Sequence, residues 1–169
     1  MPELQRITSE YIEDEDRIRL TGAVAAGTTE VLWLTQRLLI RVINHLLQWL
    51  EQQSTVAAPD ALKDGQATDL VQGFAQQAAS AEMQLQPPVQ SQGDEQAWIV
   101  SSVDISRTAQ AVKLNFKGRN GELAALTLET QQLRQWLAII HQLWQGAQWP
   151  PAIWPQWMQE SDGPGTDKG

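Results

Sequence analysis

Residues 17–50 read RIRLTGAVAAGTTEVLWLTQRLLIRVINHLLQWL, and residues 111–144 read AVKLNFKGRNGELAALTLETQQLRQWLAIIHQLW. The two stretches align without a gap at a shift of 94 residues, so that Gly27 falls on Gly121, Leu32 on Leu126 and Leu34 on Leu128. An internal repeat predicts architecture before any single residue is interpreted, because each copy is one structural unit that packs against the other. The alignment therefore predicts two similar halves related by approximate two-fold symmetry.

Each copy carries the pattern of three strands followed by one helix. Apolar and polar residues alternate over 17–24 and again over 111–116, which is typical of strands with one buried face. The pair Asn120-Gly121 is a strong hairpin signal, because both residues tolerate positive φ. Apolar residues then recur at three- and four-residue steps over 38–50 and 133–144, which predicts an amphipathic helix. Thr35 is a candidate N-cap for the first helix, and Arg37 and Arg41 mark its solvent side.

We therefore predict an α+β fold formed by internal duplication of a β-β-β-α unit. The sheet is expected to be mainly antiparallel, with two packed helices in a pseudo-two-fold arrangement. The predicted organisation is a first repeat at 1–52, a partly flexible linker at 53–96, a second repeat at 97–146, and a Trp/Pro-rich arm with a disordered tail at 147–169. A weak apolar stripe formed by Leu70, Val71, Phe74, Ala78 and Met83 predicts a possible helix within the linker, at about 66–84.

The composition offers few of the groups that catalysis or metal binding requires. The chain has no cysteine, two histidines and a net charge of −8. Neither His45 nor His141 has an acidic neighbour in sequence, and no catalytic, cofactor-binding or metal-binding motif is present. We therefore predict a non-enzymatic protein with no catalytic residue, cofactor or metal. The absence of a long apolar run and of an apolar N-terminal leader favours a cytoplasmic protein without a membrane partner.

Two resemblances accompany this pattern. The stretches 31–38 (VLWLTQRL) and 126–137 (LTLETQQLRQWL) resemble those of small uncharacterised bacterial proteins of a proteobacterial type, a resemblance that implies no particular activity. The tandem sheet-then-helix order is also similar in architecture to the Whirly and Pur types of single-strand nucleic-acid binder. The second resemblance implies binding of single-stranded nucleic acid on a sheet face.

The leading hypothesis for function is an accessory or regulatory module of the bacterial cytosol that binds another protein, with a homodimer as one possible form. Trp149, Trp154 and Trp157 follow neither the strand period nor the helix period, and they are the candidate protein interface. Trp is enriched at the energetic centres of protein interfaces. The alternative for these side chains is an arm that folds back and closes the core of its own chain.

Two further hypotheses come from other classes of function. The first is single-stranded nucleic-acid binding on a sheet face, although the net negative charge disfavours it. Its candidate residues are Arg17, Arg19, Lys113, Lys117 and Arg119 for the phosphates, with Phe116 or Trp98 stacking on bases. The second is a small-molecule pocket between the repeats, lined by tryptophans.

Overall fold

A computed structural model describes residues 2–25, 27–57, 65–84, 86–91, 93 and 96–162. The described part contains six strands: β1 (Glu3–Ile12), β2 (Arg17–Val24), β3 (Thr29–Leu34), β4 (Trp98–Arg107), β5 (Ala111–Gly118) and β6 (Leu123–Glu129). It also contains four α-helices, α1 (Gln36–Ala57), α2 (Gly65–Ala81), α3 (Thr130–Gly146) and α4 (Gln156–Asp162), with a 3-10 turn at Pro151–Ile153. The predicted arm and tail at 147–169 thus contain α4, and residues 163–169 lie outside the described part.

The six strands form one mostly antiparallel sheet, as the sequence predicts. β1, β2 and β3 are joined by antiparallel ladders, and so are β4, β5 and β6. Two short parallel ladders, β3 with β4 and β1 with β6, close the sheet into a barrel. The sequence pattern does not predict this closure, because alternation shows which face of a strand is buried and leaves open which edges meet.

The strand alternation sorts side chains between the inside and the outside of the barrel. Ile18 and Leu20 of β2 are fully buried, whereas Arg19 between them is half-buried. In β5, Val112 and Leu114 point inward in the same way. Neighbouring side chains of a strand point to opposite faces, so this pattern leaves the barrel apolar inside and polar outside.

The chain divides into two compact units that do not coincide with the predicted repeats. Unit 1 comprises Met1–Val42 and Leu85–Glu129, and contains the barrel with the first residues of α1. Unit 2 comprises Ile43–Gln84 and Thr130–Gly169, and contains the rest of α1 with α2, α3 and α4. Each unit takes residues from both predicted repeats. Among the described residues, none of the helices is both long enough and apolar enough to cross a membrane.

Helix α2 lies within the predicted linker and packs against α3 and α4 in unit 2. Its orientation is opposite to the one that the weak apolar stripe suggests: Leu70 and Phe74 are 58% and 63% exposed, whereas Gln72 and Gln76 are fully buried. These glutamines face a buried cation on α3, Arg134. Its guanidinium donates hydrogen bonds to the side-chain oxygens of both glutamines. These hydrogen bonds satisfy a buried charge, so they favour the orientation in which the glutamine face of α2 turns inward.

Candidate functional site

An open cleft in unit 1 gathers four arginines in a chain whose net charge is −8. The cleft has a volume of about 1210 Å³. Its arginines are Arg17, Arg37, Arg41 and Arg119, and we call it the arginine cleft. A smaller neighbouring cleft of about 540 Å³ is lined by the first three of these arginines again. Positive charge is therefore concentrated at one place on the barrel unit.

Three separate elements bring these arginines together. Arg17 is the first residue of β2, whose next residue, Ile18, pairs with Leu34 at the end of β3. The chain then turns into α1, where Arg37 and Arg41 lie about one helical turn apart. The hydroxyl of Thr35 accepts a hydrogen bond from the backbone N–H of Leu38 at 3.2 Å, which caps α1 as the sequence predicts. Arg119 lies in the turn between β5 and β6.

The charges of the arginine cleft are only partly compensated. Among the described residues, the side chains of Arg37, Arg41 and Arg119 make neither an ion pair nor a hydrogen bond. Arg17 has a long contact of 3.9 Å to Glu15, and the Arg17 and Glu15 side chains are 33% and 49% exposed. Exposed ion pairs of this kind contribute little. The cleft can therefore receive an anion without first breaking a strong internal pair.

Two carboxylates also line the cleft, and both already accept hydrogen bonds from the protein. Glu30 Oε1 is 3.3 Å from Trp98 Nε1, and Glu122 Oε1 is 3.0 Å from the backbone nitrogen of Asn120. The formal charge of the lining is thus four positive against two negative groups. What remains is an excess of guanidinium groups, each able to bind a carboxylate or a phosphate in bidentate fashion.

Aliphatic side chains border the same cleft. Ile99 of β4 is 45% exposed and Leu123 of β6 is 39% exposed, and both belong to its lining. Trp98, the aromatic side chain of the lining, is only 8% exposed. The cleft therefore offers aliphatic contacts and guanidinium groups, and none of its described lining residues presents an exposed aromatic face on which a base could stack.

The residues predicted to bind nucleic acid do not form one surface. Arg17 and Arg119 line the arginine cleft, whereas the other three cations pair with carboxylates elsewhere on the barrel. Arg19 is 2.9 Å from Glu10, Lys113 is 3.6 Å from Glu3, and Lys117 is 2.6 Å from Asp104. Phe116 is buried inside the barrel at 1% exposure, so it has no face free for stacking.

The tryptophans of the predicted interface are buried in unit 2. Trp149, Trp154 and Trp157 are 6%, 3% and 1% exposed. The ring of Trp144 on α3 lies edge-on to the first two, with ring centroids 4.8 and 5.7 Å apart. Trp157 donates its indole N–H to Glu51 at 3.2 Å. A partner would reach these indoles only after the arm left this position.

The sequence pattern predicts that Arg37 and Arg41 lie on the solvent side of α1 and indicates no further role for them. The available signal was their spacing of four residues immediately after an N-cap, which puts both on one face at the start of the helix. Among the described residues, no three His, Asp or Glu side chains cluster closely enough to hold a metal ion. No family model, no curated protein and no solved structure matches the chain.

Proposed function

We propose that the chain is a non-enzymatic protein-interaction module, accessory or regulatory in role, that binds an acidic segment of a partner protein in the arginine cleft. The observation that carries the proposal is the convergence of Arg17, Arg37, Arg41 and Arg119 on one cleft, three of them without an ion pair in the described part of the chain. Guanidinium groups suit this task because their planar donors match the geometry of a carboxylate.

The lining favours carboxylates on a protein over the phosphates of a nucleic acid. Ile99 and Leu123 supply aliphatic surface, which suits apolar side chains next to the acidic ones. The smaller cleft that shares Arg17 is also lined by Glu15 and Asp16, part of an exposed acidic turn (residues 13–16). A continuous phosphate backbone running past this turn would meet repulsion, whereas a short acidic peptide can end before it.

The proposal includes the predicted internal duplication of the β-β-β-α unit. Comparison of the two halves shows that only the first has arginines at the helix positions that line the cleft. The order β-β-β-α occurs twice, and at the 94-residue shift β2 falls on β5 from end to end. At the same shift Arg37 falls on Gln131 and Arg41 on Gln135. Gln135 donates to the carbonyl of Ala79 in the last turns of α2 at 3.0 Å, and Gln131 donates to Glu82, the residue after α2, at 2.7 Å. In the first half the corresponding side chains are cations that have no such partner among the described residues.

Fluorescence anisotropy with defined probes tests the proposal. The probes are a labelled peptide of alternating Glu and Val, its counterpart with Lys in place of Glu, and an oligothymidine of equal charge. We expect the Glu peptide to bind at low salt and the Lys peptide to show no binding. Tighter binding of the oligothymidine, at equal charge and salt, would replace the proposal by nucleic-acid binding.

A matched pair of variants locates the binding on the molecule. We expect the double variant Arg37→Gln/Arg41→Gln to weaken Glu-peptide binding by about 2 kcal/mol, or about thirtyfold, because it removes two charge-assisted contacts. The control Arg6→Gln/Lys113→Gln changes the net charge equally at positions that line neither cleft and lie outside β4. Equal weakening by both variants would show a general charge effect and refute a site at the arginine cleft.

A further inference from the structure

A free strand edge runs beside the arginine cleft. β4 pairs with β3 at two residues, Trp98 and Ile99, and then continues to Arg107. Over this second part, β5 is its one strand neighbour among the described residues. The backbone groups of β4 that point away from β5 beyond Ile99 therefore have no strand partner in the described part of the chain. Such an edge is a template for another extended chain.

The edge and the cleft meet. The lining of the cleft includes the consecutive residues Gln96–Ser101, which contain the last paired residue of β4 and the first residues of its free edge. Beyond them, the side chains from Ser102 to Arg107 are exposed or half-buried. A segment lying in the cleft would therefore have backbone donors and acceptors of β4 within its path. Addition of a strand to an exposed sheet edge is a common mode of peptide recognition.

The spacing of the arginines suits an extended chain. Arg37 and Arg41 are four residues apart on α1, which separates them by about 6 Å along the helix axis. Alternate residues of an extended strand are about 7 Å apart and point to the same face. Two carboxylates separated by one residue therefore match the spacing of the two arginines. The residue between them points to the other face of the strand.

We infer that the partner segment binds as an added strand on the free edge of β4, with acidic residues at alternate positions that contact Arg37 and Arg41. This inference rests on the proposed function and specifies the conformation of the bound segment. Asp104 is the one carboxylate on the free edge, and Lys117 neutralises it at 2.6 Å. The edge itself therefore presents no net negative charge to an acidic strand.

Backbone N-methylation of the Glu-Val peptide tests the inference on the unmodified full-length protein. In an added strand, the N–H groups of alternate residues point to β4. We therefore compare a peptide methylated at every Val nitrogen with one methylated at every Glu nitrogen. Both keep the charges and side chains of the parent peptide. One of the two is expected to lose at least about tenfold in affinity, since several backbone hydrogen bonds disappear, while the other stays within about twofold.

Hydrogen exchange supplies a second readout that requires no variant. Saturation with the parent peptide is expected to slow amide exchange in Val100–Arg107 of β4. Retention of full affinity by both methylated peptides, or an unchanged exchange rate in this segment, would refute strand addition. Under that outcome an arginine-dependent affinity for the parent peptide would still support the proposed function. Absence of binding by the unmodified parent peptide would refute both strand addition and the proposed function.

Discussion

The buried guanidinium of Arg134 gives the sharpest stability prediction. Its side chain is 4% exposed, and no carboxylate pairs with it among the described residues. Nη2 donates to Gln72 Oε1 at 2.7 Å, Nη1 is 3.4 Å from Gln76 Oε1, and the guanidinium carbon lies 5.8 Å from the ring centre of Trp157. The guanidinium is therefore desolvated, and it contacts two amide oxygens and an aromatic ring in place of a carboxylate that would compensate its charge.

The pKa of Arg134 reflects the same free-energy cost of desolvation. Burial lowers the pKa of Arg134 to about 10. A cation whose pKa is lowered by folding destabilises the folded state at every pH below the folded pKa, and the penalty fades only as the pH rises above it. At neutral pH the penalty is therefore fully present, and it amounts to about 3 kcal/mol. Removing the charge should therefore offset most of the stability that is lost with its hydrogen bonds.

The perturbation is a double-mutant cycle between Gln72→Leu and Arg134→Met. Gln72→Leu removes the 2.7 Å acceptor of the guanidinium and also the donor that binds the carbonyl of Leu50 at 3.0 Å. We expect it to lower the free energy of unfolding by about 3 kcal/mol, because a buried charge loses its best partner. Arg134→Met removes hydrogen bonds and the desolvation penalty together, so we expect a loss of about 1 kcal/mol or less.

The double variant decides the outcome. We expect it to be more stable than Gln72→Leu alone by about 2 kcal/mol, which corresponds to a rise of about 4–8 °C in Tm for a chain of this size. Urea unfolding followed by tryptophan fluorescence measures all four corners of the cycle. Gln77→Leu, the same change at an exposed position of α2, is the control and should stay within about 0.5 kcal/mol of the parent. A coupling near zero, or an Arg134→Met variant as unstable as Gln72→Leu, would refute this account.

Three further predictions concern unit 1. The hydroxyl of Tyr11 donates a hydrogen bond to Asp16 at 2.6 Å, which raises the pKa of Tyr11 to about 12. The interaction therefore stabilises the fold at pH values below the ordinary pKa of 10.0, and this stabilisation is lost as the pH rises towards 12. Asp16→Asn should return that pKa towards 10.0, and an unchanged ultraviolet titration of this single tyrosine would contradict it. Thr35→Val removes the acceptor of the Leu38 N–H and should lower the free energy of unfolding by about 1 kcal/mol in urea; an unchanged midpoint would show that the cap contributes nothing. Glu13→Gln reduces the charge of the acidic turn and should strengthen Glu-peptide binding about twofold at low salt, an effect that must vanish at high salt if it is electrostatic.

Local patterns in the sequence determined the succession of strands and helices. The period-two alternation of β2 and β5 and the three- and four-residue steps of α1 and α3 report which face each element buries, because burial selects apolar residues at the period of that element. The cap at Thr35 could be recognised for the same reason: its donor, Leu38, is three residues away. Interactions between residues a few positions apart can be predicted from the sequence, because both partners lie in the same short segment.

Tertiary structure decided how the barrel closes and what the charges face. The closing ladders pair two residues each, too short a contact to leave a pattern in the sequence. Arg17, Arg37 and Arg119 meet in one cleft although they come from different elements. Arg134 is buried, although in the sequence it looks like any other polar residue of an amphipathic helix. The charge of a residue is visible in the sequence, but its energy depends on the dielectric and the partners around it. Those are supplied by distant parts of the chain, and only the folded structure brings them together.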